Sequence, residues 1–393
     1  MTIKERIEEL YPELTAMRRA FHRHPELGTK ELWTGREICR HLDEWGISYE
    51  YPVADTGIVA MMMGQKEGKG STVALRADMD ALPLTENPER PYCSGYPGTM
   101  HACGHDAHMA IALGTAHILK ELQASWSGCV KFFFQPAEET VGGARRMVQA
   151  GCMEHPHVDY VAGLHVMPTY PAGEVEYRFG KLNASSDEIH ITIRGRSCHG
   201  AYPETGVDAI VMAGSVVSAL QSLVSRSISP LDNAVLTLGT IHGGTAGNIV
   251  ADQVKLTGTL RTTDPATREL AIGIISRQVS CICQGFGGSG ELEVVPGYAA
   301  LINTDEIVEA LLETAGAVVG KEHLHEKEFP SLGVEDFSFF LEKAKGVFYH
   351  LGCAGKDGAS AAPLHSRDFD IDETCLKLGV ELQTALALRL LDK

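Results

Sequence analysis

Apolar residues recur at helical spacing from the start of the chain: Ile7, Leu10, Leu14 and Met17, then Ile38 and Leu42 opposite a polar face of Glu37, Arg40 and Glu44. The spacing predicts a largely helical segment over 3–45, interrupted at His22-Arg23-His24-Pro25. Strand-like runs follow at 72–75 and 130–134, with an Ala-rich helical stretch over 109–122 between them. Strands alternating with helices imply a largely parallel sheet covered by helices on its faces.

The pattern changes near Asn183. Residues 188–193 alternate in strand fashion, an apolar helix is expected over 209–224, strands at 234–239 and 254–261, a helix over 266–283 and a strand at 292–295. That order, βαββαβ, is a complete small α+β module. The remainder, with a helix at 305–319, a strand at 347–351 and an amphipathic helix from Thr374, has too few strands to stand alone and is expected to complete the first domain. The predicted fold class is therefore α/β, a mixed and mostly parallel sheet with helices on both faces, plus an inserted α+β lid or dimerisation domain. The expected boundaries are 1–183 and 298–393 for the first domain and 184–297 for the insertion, a size within the usual domain range.

Composition narrows the function class. The 393 residues are 44% hydrophobic and 22% charged, with a formal net charge of -17. That is the balance of a globular enzyme, and the acidic excess opposes binding to nucleic acid. The first ten residues lack the apolar core of a secretory signal, and no apolar run approaches membrane-spanning length. A cytoplasmic protein with no membrane partner is the expectation. The ten cysteines are scattered without a CxxC motif, which argues against a disulfide framework.

Two apparent nucleotide motifs fail on context. Gly285-Phe286-Gly287-Gly288-Ser289-Gly290 fits the dinucleotide fingerprint but follows a helix and precedes a strand, the reverse of what a pyrophosphate site needs. Residues 64–71 miss the P-loop spacing, and neither GxSxG nor HExxH occurs.

The chemistry gathers elsewhere. His101-Ala102-Cys103-Gly104-His105-Asp106-Ala107-His108 packs a thiol, three imidazoles and a carboxylate into eight residues, placed where a parallel strand should hand over to a helix. His108 reads as a packing residue on that helix. Phe132-Phe133-Phe134-Gln135-Pro136-Ala137-Glu138-Glu139 is an apolar strand ending in adjacent acids, expected to point to different sides so that one ligates a metal and the other moves protons. Either could equally be part of a solvated acidic turn. His165 and His365, each beside a short apolar segment, complete with Cys103, His105 and Glu139 a mixed soft and hard ligand set sufficient for two cations. Asp78, at another strand end, could orient a ligand histidine.

Together these stretches, with Phe21 to Leu27, Arg76 to Pro83, Cys198-His199-Gly200-Ala201 and Leu364 to Arg367, make the whole chain resemble the M20 metallopeptidase superfamily, in its amidohydrolase branch of N-acyl amino acid hydrolases. The resemblance implies metal ligands at Cys103, His105, Glu139, His165 and His365 and a catalytic set of Glu138 as general base, Asp78 and His199. It also implies substrate binding by His199, Asn248 and Arg261, the last gripping a carboxylate. Arg76 stands where many superfamily peptidases carry a histidine ligand, and Cys103 near the place of a bridging aspartate. Glu335-Asp336-Phe337 is expected near the same centre, or as a helix cap. The implied cofactors are two divalent cations per subunit, Zn or Mn first, Ni or Co next. The implied partner is a small N-acyl amino acid, the implied assembly a homodimer or higher homo-oligomer. Two alternatives stay open: a dipeptidase or carboxypeptidase of the same fold, and a thiol hydrolase with Cys103 as nucleophile.

Overall fold

A computed structural model describes residues 2–355 and 362–393. The chain divides into two compact units, the first comprising residues up to Gly180 with Ile302–Glu328 and Asp336–Lys393, the second Lys181–Leu301 with Phe329–Glu335.

In the first unit, helix α1 (Ile3–Arg23) opens on a capping box, Thr2 and Glu5 each closing the other's backbone N–H, and buries Ile7, Leu10, Leu14, Met17 and Phe21 on one face. Helix α2 (Leu32–Glu44) follows the break at His24-Pro25. Next come β1 (Ser48–Val53), β2 (Gly57–Met63), β3 (Thr72–Asp78), α3 (His105–Glu121), β4 (Cys129–Gln135), α4 (Gly143–Gln149), β5 (Tyr160–Pro171) and β6 (Val175–Tyr177). They form an eight-stranded sheet in the order β1, β2, β4, β3, β5, Lys345–Ala354, β6, Leu324–Glu326. β4, β3, β5 and Lys345–Ala354 run parallel through its centre, and β1, β2 and β6 join by antiparallel pairings.

Every residue of β3 and β4 is buried, as expected of central parallel strands covered on both faces. Helix α3 is buried on nearly its whole circumference and packs between α1 and the final helix Thr374–Leu391, so its amino terminus is held rigidly over the sheet.

The second unit is an antiparallel sheet of four strands in the order Ala234–Gly243, Gln253–Thr262, Asp187–Arg194, Ser289–Pro296. Ile189, Ile191 and Ile193 meet the helices Ala209–Leu220 and Pro265–Gly285 in its core, and each helix is capped at its start by an aspartate, Asp208 and Asp264. The fingerprint-like Gly285–Gly290 stretch is the turn from the second helix into the last strand. The Phe329–Glu335 stretch, which the sequence reading assigns to the first domain, joins this unit because Ser331 bonds Leu182 and Ala184 through its main chain. Among the described residues no helix is long and apolar enough to cross a membrane.

Candidate metal centre

β3 and β4 are parallel and in register, Asp78 facing Gln135, so the segments that leave their carboxyl ends emerge side by side. The loop 101–105 arrives at the same end before α3, the general location of ligand sites in open α/β sheets. Gly104 makes that entry possible. It sits at φ +85, and a Cβ there would stand 2.3 Å from Val166 Cγ2 on β5. His165 lies one residue earlier on that strand.

The sequence-nominated ligands converge. Nitrogen, sulfur or carboxylate oxygen atoms of Cys103, His105 and His165 lie within 4.8 Å of one another, and so do those of Cys103, Glu139 and His365. The two sets share the Cys103 sulfur, so the five side chains form one continuous cluster that could hold divalent cations.

The protein orients the two imidazoles His105 and His165 through their Nδ1 atoms and turns their Nε2 atoms toward the cluster. His105 Nδ1–H donates to the Asp80 carbonyl at 2.8 Å, while its buried Nε2 has no hydrogen-bond partner. His165 Nδ1–H donates to the Val166 carbonyl at 2.7 Å, so its Nε2, 3.4 Å from Cys103 Sγ, is the unprotonated nitrogen. Burial, with His108 beside it, holds that ring well below its ordinary pKa and therefore neutral. Glu139 Oε1 stands 3.1 Å from His365 Nε2 yet makes no hydrogen bond. His365 itself adopts φ +61, a conformation costing a non-glycine residue about 1 kcal/mol, and its N–H donates to the Ala102 carbonyl at 2.8 Å.

Buried polar atoms are almost always paired, and a set of unpaired ones facing a common point is what a cation site requires. The thiol makes the same point. Burial pushes Cys103 well above its ordinary pKa, and a bound cation is what holds such a thiol as thiolate. The donor set, one sulfur, three imidazole nitrogens and a carboxylate, fits zinc and the neighbouring divalent transition metals.

Several residues around the centre make buried scaffold contacts. His108 donates from Nδ1 to Asp78 at 2.6 Å and accepts the Val166 N–H on Nε2 at 2.9 Å, which leaves it no nitrogen for a metal. Arg76 is spent as well, binding Gln135 at 2.8 Å, Asp78 at 2.8 Å and Asp336 at 3.0 Å, all buried. Asp336 also accepts from Gln135 and from the Ala144 N–H, so it braces the turn after β4. Asp78 takes Arg76 and His108 and lies 3.5 Å from His105 Nε2.

One expectation is corrected. Adjacent acids on a strand would diverge, but Glu138 and Glu139 each bring an oxygen within 4.8 Å of a His105 nitrogen and of one another. Ala137 at φ +55 is the reason: its left-handed backbone ends the strand alternation and turns both side chains toward the same space.

The remaining candidates belong to the second unit. His199 and Asn248 are brought side by side there: His199 pairs with Ile249 across a short ladder, and the Asn248 carbonyl accepts the Gly200 N–H. His199 Nδ1 accepts the Ala201 N–H at 3.0 Å, which leaves Nε2 as the protonated, donating nitrogen. Arg261 lies on the strand Gln253–Thr262 and donates to the Leu332 carbonyl at 2.7 Å.

Residues 74–389 match the profile of the peptidase family M20/M25/M40. The chain belongs to this family. Among its curated M20 relatives are Thermostable carboxypeptidase 1 of Saccharolobus solfataricus, 36% identical over 100% of this chain and 98% of that protein, and N-acetylcysteine deacetylase of Bacillus subtilis, 36% identical over 97% and 98%. The fold matches that of the Bacillus subtilis YXEP protein, a dinuclear metal binding peptidase of the M20 family, with a TM-score of 0.84 and 32% identity over 98% of this chain and 99% of that one. An M20 hydrolase with a site for two divalent metals is thus what the chain is.

Proposed function

We propose that this M20 hydrolase cleaves the amide bond of N-acyl amino acids, releasing a carboxylic acid and a free amino acid. The observation carrying the reading is the convergence of metal-ligating atoms of Cys103, His105, His165, Glu139 and His365, with Glu138 beside them. The N-acetylcysteine deacetylase relative supports the N-acyl class, and the carboxypeptidase relative, at the same 36% identity, supports the alternative of a peptidase of the same fold. Cations held there, zinc or manganese ahead of nickel or cobalt, supply a polarised carbonyl and a water of lowered pKa.

The chain's own residues do the rest. Glu138 takes the proton of the attacking water and returns it to the departing nitrogen. His199, protonated on Nε2, donates to the oxygen on which negative charge develops. Arg261 and Asn248 receive the carboxylate of the amino acid. The second unit acts as a dimerisation module in a cytoplasmic homodimer.

A second reading has one observation behind it: His165 Nε2 lies 3.4 Å from the Cys103 sulfur, the geometry of a thiol–imidazole pair. Amine release from N-acetyl, N-benzoyl and long-chain acyl amino acids, assayed with added Mn or Zn, with chelator and with Glu138→Gln, separates the two. Hydrolysis by metal requires the chelator to abolish turnover and Glu138→Gln to lower kcat about 10²- to 10⁴-fold. Turnover untouched by either change would transfer the reaction to Cys103.

A further inference from the structure

Three successive backbone N–H groups in the turn after β4 end on carboxylates. Ala137 N–H donates to Glu31 Oε1 at 2.9 Å, Glu138 N–H to Asp80 Oδ1 at 3.1 Å and Glu139 N–H to Asp80 Oδ2 at 3.0 Å. Both acids are buried. Burying carboxylates is costly and is sustained here by hydrogen bonds to consecutive amides.

Asp80 does more than cap this turn. Its own carbonyl accepts the His105 Nδ1–H at 2.8 Å, so one residue fixes a ligand imidazole through its main chain and the Glu138-Glu139 pair through its side chain. Glu31 stands behind it, with Thr56 Oγ1 donating to its other oxygen at 2.5 Å. The α1–α2 connection closes the turn from outside: a Cβ on Gly28 would lie 3.0 Å from Ala137 Cα. The turn is thereby held in the left-handed form at Ala137 that brings both acids to one side.

We propose that Asp80, supported by Glu31, is the positioning residue that sets the Glu138 carboxylate against the reacting atoms, acting through the backbone of the 137–139 turn. The inference rests on the hydrolase reading above. Its signature is a loss in kcat that persists at saturating metal with substrate binding preserved: Asp80 also touches the ligands His105 and Glu139, so metal affinity falls, but the Glu138 base stays misplaced when the metal is bound.

The test is Asp80→Asn, which keeps the shape but leaves one acceptor oxygen and turns an NH₂ toward an N–H. On an N-acetyl amino acid with saturating Mn, kcat should fall about 100-fold, the scale of a small misplacement of a catalytic group, with KM within about threefold. Mn affinity, read by competition with a chromophoric chelator, should fall about 10- to 100-fold, and the kcat loss should persist once Mn is saturating. Glu31→Gln, which retains an acceptor for Ala137, should lower kcat about threefold to tenfold with KM unchanged, and stands in if Asp80→Asn does not fold. Wild-type kcat in a folded Asp80→Asn, or a kcat loss that only tracks lost Mn, overturns the proposal while leaving the hydrolase reading intact. A wild-type enzyme inactive on every N-acyl amino acid with metal present sinks both.

Discussion

His105 and Asp106 are neighbours in the first turn of α3, equally buried, and they serve two regions built on opposite rules. On the His105 side, ligating atoms meet one another: His105 Nε2 has no hydrogen-bond partner, Cys103 Sγ faces His165 Nε2 at 3.4 Å and Glu139 Oε1 faces His365 Nε2 at 3.1 Å. On the Asp106 side, charge is matched to charge. Asp106 Oδ2 meets Arg18 Nε at 2.8 Å and His22 Nδ1 at 2.7 Å, and His22 Nε2 meets Glu86 at 3.0 Å. Arg18 also reaches Asp370 at 2.9 Å, tying α1 to the segment before the last helix. The first arrangement gathers metal-ligating atoms of five side chains about one space and therefore reads as a site; the second pairs buried cations with buried carboxylates and reads as a clamp that fixes the helix carrying the site.

Exchanging one residue at a time across that boundary tests the distinction. His105→Ala should cut turnover about 1,000-fold or more, as loss of the main electrostatic support for the reaction does, while metal-free stability falls by about 1–3 kcal/mol from the lost bond to the buried Asp80 carbonyl. Asp106→Asn should do the reverse. It leaves Arg18 and His22 buried without their shared anion, a loss of about 3–5 kcal/mol in urea unfolding, and the molecules that remain folded keep most of their kcat. If Asp106→Asn silenced a stable protein, the two regions would be one. Gly104→Ala sits on the boundary itself. It meets Val166 at 2.3 Å and must adopt φ +85, so a drop of about 2 kcal/mol or more in stability, with weakened metal binding, is expected from calorimetry and Mn titration.

The same boundary marks how far the sequence could be read. Cys103, His105, Glu138 and Glu139 stand out because unlike donors crowd into short stretches at the ends of apolar strands, and the βαββαβ order of the second unit is visible because its periods are clean. The strands Ser48–Val53 and Gly57–Met63 escaped, the first because it is a half-exposed edge strand containing a proline, the second because Ile58 to Met63 is apolar without alternation. The roles of Asp80 and Glu31 were illegible for another reason. Each acts on backbone N–H groups more than fifty residues away, and no pattern of side chains records which amides a carboxylate will meet. The convergence of Glu138 and Glu139 was misjudged because one left-handed residue, Ala137, resets the alternation.

The smallest effect discriminates most finely, because it isolates the clamp from the metals. Burial and the Arg18 guanidinium push the His22 pKa down, but Asp106 and Glu86, one carboxylate on each ring nitrogen, outweigh them and hold it above its ordinary value. A histidine whose folded pKa is raised gives stability that is complete below the unfolded pKa of about 6.5 and is lost as pH rises through the folded value. Unfolding free energy of the metal-free protein should therefore decline above about pH 6.5, and His22→Gln should flatten that decline while lowering stability most at the acid side of it. His105 is also held above its ordinary pKa, burial lowering it but Asp78 outweighing that, so His105→Ala should remove its own share of the decline and leave the share that His22→Gln flattens. A slope that vanished with His105 instead would mean that the clamp and the metal site titrate as one unit, and the division between the two faces of α3 would fall with it.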